Sequence, residues 1–352
     1  MQIQSLQDIN SIKIQSPKQA AFDASKKIWD DIAKPLDGMG DFENVIAKIS
    51  AIKNNPEFVL NKKALLIMCA DNGIVAEGVS QSTSEVTKAV VINMLKHKSS
   101  VAVMADRNQI DMFVYDVGME TNEQIEGLID KKIKNGTNNF KIESAMSEEE
   151  TIRAINIGID AVFECCNKGY DIIATGEMGI GNTTTSSAVC SSILGSLCVG
   201  RGAGLDDSKL ANKKKIIEEA IDKYSLRNEN AFNVLKTVGG FDIAALTGVC
   251  IGGALYGIPI VLDGVITLTA ALIAEELVHG VREYLILSHL GKEPACEMIG
   301  KKLGLKPVID ANMALGEGSG AVMFMGLLDD AVCVYNNAAR FSDITVDNYK
   351  RY

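Results

Sequence analysis

The chain has 352 residues, 47 % hydrophobic and 23 % charged, which excludes a disordered or fibrous protein and fits one large α/β domain or two unequal ones. Asp and Glu number 45 against 35 Lys and Arg, a formal charge of −10. The global field that duplex DNA or an anionic membrane surface requires is therefore missing, although backbone amides and one Lys suffice for a single phosphate.

Residues 1 to about 60 read as amphipathic helices. Asp23-Ala24-Ser25 leads into a helix that Pro35 ends, and Ile46, Ile49 and Ile52 carry the next apolar face. The N-terminus shows no basic start followed by an apolar run, so no export signal is read and a cytoplasmic protein is expected. Residues 64–70 are a continuous apolar run stopping at Asp71-Asn72-Gly73, the pattern of a strand buried on both faces. The same grammar recurs at 111–117, 170–175, 258–262, 284–287 and 307–309, each run stopping at a polar turn. Helical patterns fill 84–97, 147–168, 183–197, 208–224, 241–256, 267–282, 293–303 and 319–340, and 131–141 reads as a polar surface loop. Strands alternating with such helices predict a mostly parallel, doubly wound, Rossmann-like α/β sheet, with ligands beyond the carboxyl ends of the strands.

The uncharged stretch 243–262 imitates a membrane span, but Pro259 interrupts it and Asp242 and Asp263 flank it; a buried helix running into a buried strand is expected, and no membrane partner. Eight Cys show no C-x-x-C spacing and only three His accompany them, so no metal is expected and the thiols read as reduced core filling.

Three Gly clusters concentrate the chemistry. The first, 176–181, follows a strand and precedes a helix, so its amides suit a phosphate; alternatively it is a tight turn with Thr183 as N-cap. The second, 200–204, precedes the helix carrying Lys213, which either neutralises that phosphate or belongs to a solvated Lys213-Lys214-Lys215 face. In the third, Glu317 stands between two glycines, either as a general base in a desolvated pocket or as a helix-start acid.

In order, the chain carries ADNGIVAEGVSQSTSEVT (70–87), TGEMGIGNTTTSSA (175–188), GRGAGLDDSKLANKK (200–214), GGFDIAALTG (239–248), LDGVITLTAALIA (262–274), SHLGKEPA (288–295) and ALGEGSGA (314–321). In these blocks it resembles the nicotinate-nucleotide:dimethylbenzimidazole phosphoribosyltransferases of cobamide lower-ligand assembly. The resemblance implies a catalytic α/β domain over 30–320, a small helical domain from 1–29 with 321–352, a homodimer, and no cofactor. The implied reaction moves the 5-phosphoribosyl group of nicotinate mononucleotide to an aromatic base with inversion. It implies Glu317 as catalytic base and Gly176, Gly179, Gly181, Asn182, Thr183, Gly202, Lys213 and Gly316 around the phosphoribose. Ser80, Ser82, Ala89, Glu177, Met178 and Leu315 would surround the acceptor. On the residues themselves, the polar, Gly-spaced loop 70–82 after the first strand already suits the aglycone side of a pocket, and Asp242 and Asp263, like Ser288, would bond the ribose or serve structure by capping a helix and closing a turn. Asn72 stands where relatives often have His, and Ala89 where they commonly have Gln, so a phenolic acceptor with a heterodimeric partner stays beside dimethylbenzimidazole. An NAD-linked oxidoreductase lacks its G-x-G-x-x-G unit here, and the intact LGEGSGA argues against a non-catalytic nucleotide-sensing subunit.

Overall fold

The run after residue 62 forms strand β1 (Lys63–Ala70), every residue of which is buried. Its side chains alternate between faces. Leu65, Ile67 and Cys69 enter one apolar cluster, and Ala64, Leu66, Met68 and Ala70 enter another. A strand covered on both sides has no polar face, which is why its sequence is apolar from Ala64 onward. The computed structural model describes residues 3–351.

Strands β2 (Ile110–Gly118), β3 (Ile129–Asp130), β4 (Ile172–Met178), β5 (Ile260–Leu262) and β6 (Leu285–Leu287) complete the sheet. Its order is β3-β2-β1-β4-β5-β6, with every pairing parallel. This is the expected doubly wound order. The chain winds outward one way after β1 and the other way after β4, so the loops at their carboxyl ends diverge and open a crevice.

The margins differ from expectation. The run at 307–309 does not join the main sheet: strand β8 (Ile309–Met313) pairs with β7 (His289–Gly291) in a separate two-stranded sheet. Its residues are half-buried or exposed, so IDANM carries no continuous apolar signal. The segment 131–141 is not a surface loop at its centre either. Phe140 is buried, and Thr137 meets the end of β1, donating its N–H to the Asp71 carbonyl (3.1 Å) while its hydroxyl accepts from Gly73 (3.2 Å).

The uncharged stretch becomes the helix Phe241–Tyr256 followed by β5. A Cβ on Gly248 would strike the carbonyl of Ile155, and one on Gly158 that of Ala245. The missing side chains let this helix lie against Glu148–Asn167 at close range, so the small-residue spacing serves helix packing within the fold. Among the described residues no helix is long and apolar enough to cross a membrane.

The two chain ends meet. Trp29 and Tyr335 rings lie 5.0 Å apart, and the Tyr335 hydroxyl donates to Ser25 (3.0 Å). Ser25 is therefore interior to its helix, which runs Gln19–Asp31 and starts earlier than expected. The same cluster continues through Phe324 and Met325 onto β1. Ile3, Ile9 and Ile12 join the opposite cluster, where Asn156 pairs with both main-chain groups of Ile3 (3.1 and 2.7 Å).

Candidate active site

A cavity of about 150 Å³ opens beyond the carboxyl ends of β4 and β5, with Glu177, Thr183, Gly202, Asp263, His289 and Glu293 in its wall. Leu315 and Gly316 close another side, Leu315 being half exposed.

One end suits an anion. The helix Asn182–Leu194 starts after Gly181, so Thr183 is not the cap but a residue of the first turn. Its hydroxyl accepts from Lys213 Nζ (3.1 Å). Lys213 has no exposed surface, whereas Lys214 and Lys215 face solvent. Burial pulls the Lys213 ammonium down to about 8, and the nearby Glu293 carboxylate works against that pull. Gly202 donates its N–H to Glu293 Oε1 (2.9 Å), so a carboxylate of the chain itself occupies this amide. A Cβ on Gly202 would sit 2.6 Å from the Thr183 hydroxyl.

The other end gathers carboxyl groups. Glu177 is buried at the end of β4; burial first, and the Asp242 charge second, push it up to about 8. Asn182 Nδ2 bonds both Glu177 Oε2 and Asp242 Oδ2, the latter at 3.0 Å. Asp242 also accepts the Ile243 N–H (2.9 Å), and burial raises it to about 6. These contacts place Asp242 at a helix start, joined to Glu177 through one amide.

Glu317 lies on the segment crossing above β4. Gly316, Glu317 and Gly318 have φ of +85°, +64° and +95°. Left-handed backbone suits the two glycines; for Glu317 it costs about 1–2 kcal/mol. A Cβ on Gly176 would approach the Glu317 carbonyl oxygen to 2.5 Å, so Gly176 is bare because this segment rests on it. The Glu317 N–H reaches Glu177 Oε1 (3.4 Å). Its carboxyl is half-buried, and Oε2 is buried with no hydrogen-bond partner among the described residues. Burial raises its pKa, the Val101 N–H lowers it, and the charge of Asp263 raises it.

Other expected residues serve the frame. Asp263 accepts the N–H groups of Gly318, Gly320 and Ala321, and Ser288 donates to the Leu262 carbonyl (2.6 Å) and lies 2.9 Å from His289 Nδ1. Gly179 and Gly181 form the turn after β4. Thr87 steadies that turn, its hydroxyl donating to Asp71 (2.6 Å) and accepting the Ile180 N–H (3.1 Å).

Of the expected site residues, Glu177, Thr183, Gly202, Asp263, Leu315 and Gly316 are in the cavity wall; Glu317, Lys213, Gly176, Gly179, Gly181, Asn182, Asp242 and Ser288 are not, and neither are Ser80, Ser82, Ala89 and Met178. Ser80 and Ser82 bond each other (3.1 Å) in a loop whose Gln81 reaches Gly204, Ala89 is exposed on the helix Glu85–Leu95, and Met178 packs against the Trp29 cluster. Sequence reasoning gave no role to Glu293 and His289; their signal was their place in SHLGKEPA, directly after β6.

A family model described as "Phosphoribosyltransferase" matches residues 14–346. The nicotinate-nucleotide–dimethylbenzimidazole phosphoribosyltransferase of Clostridium perfringens is 41 % identical over 327 residues, 92 % of this chain and 91 % of that one. Its namesake from Ruminiclostridium cellulolyticum is 40 % identical over 348 residues, 97 % of each. The crystal structure of CobT from Thermus thermophilus superposes with a TM-score of 0.88 at 32 % identity, covering 94 % of this chain and 100 % of that one. With the family model spanning nearly its whole length and relatives of this similarity, the chain belongs to the phosphoribosyltransferase family.

Proposed function

We propose that the protein transfers the 5-phosphoribosyl group of nicotinate mononucleotide to 5,6-dimethylbenzimidazole, giving an α-riboside 5′-phosphate and nicotinate for cobamide assembly in the cytoplasm. The observation that carries this reading is Glu317, held in left-handed backbone beside the cavity with one carboxyl oxygen buried and unpaired. Strained backbone around an unsatisfied acid is the mark of a working group rather than of packing.

The substrate phosphate takes the donor end. Lys213 and Thr183 face it, and the Gly202 amide passes to it from Glu293. Glu317 accepts the N–H proton of the benzimidazole as the ring nitrogen bonds to C1′. The bond from C1′ to the pyridinium nitrogen breaks on the opposite face, and its electron pair leaves with nicotinate. Because that leaving group is already cationic, no acid has to protonate it. Catalysis then rests on the base and on orientation.

A homodimer belongs to the same proposal. Val103, Met323 and Leu327 leave apolar surface open on two adjacent helices, Ser100–Arg107 and Ser319–Asn337.

Incubating the purified chain with nicotinate mononucleotide and 5,6-dimethylbenzimidazole tests the reading. Release of nicotinate with an equal amount of α-riboside phosphate is expected; no release under saturating substrates contradicts it.

A further inference from the structure

Asp263 directly follows β5 and is buried, yet its carboxylate points to the segment that carries Glu317. Its Oδ2 accepts the Gly318 N–H (3.1 Å), and its Oδ1 accepts those of Gly320 (2.7 Å) and Ala321 (3.2 Å). Both oxygens are thus engaged by one stretch of main chain. That stretch starts where the left-handed trio 316–318 turns into the helix Ser319–Asn337. A non-glycine residue keeps such backbone only where its surroundings over-determine it. The Ser319 N–H to the Gly316 carbonyl (3.0 Å) and the contact of Glu317 N–H with Glu177 complete the hold.

We propose that Asp263 is a positioning residue for the transfer reaction: it fixes the 316–318 turn and so aims Glu317, rather than bonding the ribose. This rests on the reading of Glu317 as base. Asp263 has the geometry for the task. A carboxylate accepts from three amides at once with charge-assisted bonds, and a neutral side chain there satisfies fewer of them.

The test compares Asp263→Asn, which keeps the shape and one acceptor oxygen, with Asp263→Ala, each in the wild-type and Glu317→Gln backgrounds. Turnover is counted per folded molecule from a melting curve. Misaiming a catalytic group by an ångström costs on the order of 100-fold, so kcat should fall about tenfold in the Asn variant and about 100-fold in the Ala variant. The KM for nicotinate mononucleotide should stay within about threefold, because ground-state binding is untouched. In the Glu317→Gln background, Asp263→Asn should change the residual rate less than about twofold, since a residue acting through Glu317 has nothing left to aim.

A raised KM with intact kcat makes Asp263 a ribose ligand and overturns the proposal. Unchanged kcat overturns it, and so does an equal loss in both backgrounds. If Asp263→Ala does not fold, Asp263→Asn alone decides. Wild-type turnover by Glu317→Gln itself would instead remove the base reading, whatever Asp263 does.

Discussion

At one end of the cavity stands the Thr183 hydroxyl, with the buried Lys213 behind it and the Gly202 amide held by Glu293; at the other, the carboxyl groups of Glu177 and Asp263 are in the wall and both bond the strap of main chain that carries Glu317 beside it. Burial acts on both ends and drives each away from charge. It pulls Lys213 down to about 8 and pushes Glu177 up to about 8. The consequences differ. A buried ammonium recovers its charge fully when a phosphate arrives beside it, so that end acts in binding and reports in KM. A carboxylate of raised pKa is a better proton acceptor, so the other end acts in the transition state and reports in kcat.

This division of labour orders the expected effects of substitution. The largest belongs to Glu317→Gln. Loss of a general base lowers kcat by about 10²–10⁴-fold, while calorimetric titration should find nicotinate mononucleotide still bound. Next comes Lys213→Ala. Losing a hydrogen bond to a charged group costs about 1.5–3 kcal/mol, or roughly 10–100-fold in KM, with kcat less affected. An unchanged KM would remove Lys213 from the phosphate end.

A matched pair of glycine substitutions sharpens the contrast. Gly176→Ala drives a Cβ into the Glu317 carbonyl, and Gly202→Ala drives one into the Thr183 hydroxyl from a left-handed φ of +52°. Overpacking of this kind costs about 1–3 kcal/mol. The first should appear mainly in kcat and the second mainly in KM; steady-state kinetics that reversed the two would mean that the ends do not divide binding from catalysis.

A further effect falls on stability and not on rate. Glu177 titrates at about 8 in the folded protein against an ordinary 4.5, so the native state keeps a proton that the unfolded chain loses. Stability is intact below the lower value and declines as pH rises towards about 8. Melting curves at pH 5, 7 and 9 should therefore show Glu177→Gln gaining on wild type as pH rises. A gap that stays constant or narrows would contradict the buried, protonated Glu177.

Much of this was legible in the sequence because the physics is local. Runs such as 64–70 are apolar on both faces only if a strand is covered on both sides, and each stops at a polar turn where the crevice opens. Glu317 between two glycines is likewise a local signal, now explained by three consecutive left-handed residues. What stayed hidden depends on contacts far along the chain. Strand β3 has two residues and β8 is half exposed, so neither leaves a pattern. The bonds of Asp263 to 318–321 join segments more than fifty residues apart. Lys213 looks like its exposed neighbours until the helix Asp207–Lys223 turns it inward. Ser80 and Ser82, read as a polar loop lining the acceptor side, and Ala89, assigned by resemblance, lie outside the cavity wall.

A desolvated Glu317 that must be deprotonated to act shows itself in the pH dependence of kcat with both substrates saturating. The rate should rise with pH through one group whose midpoint lies above the ordinary glutamate value of 4.5, because burial raises the Glu317 pKa and only the carboxylate form takes the acceptor's proton. A rate that is flat across this range, or that falls as pH rises through it, would mean that Glu317 is not the base.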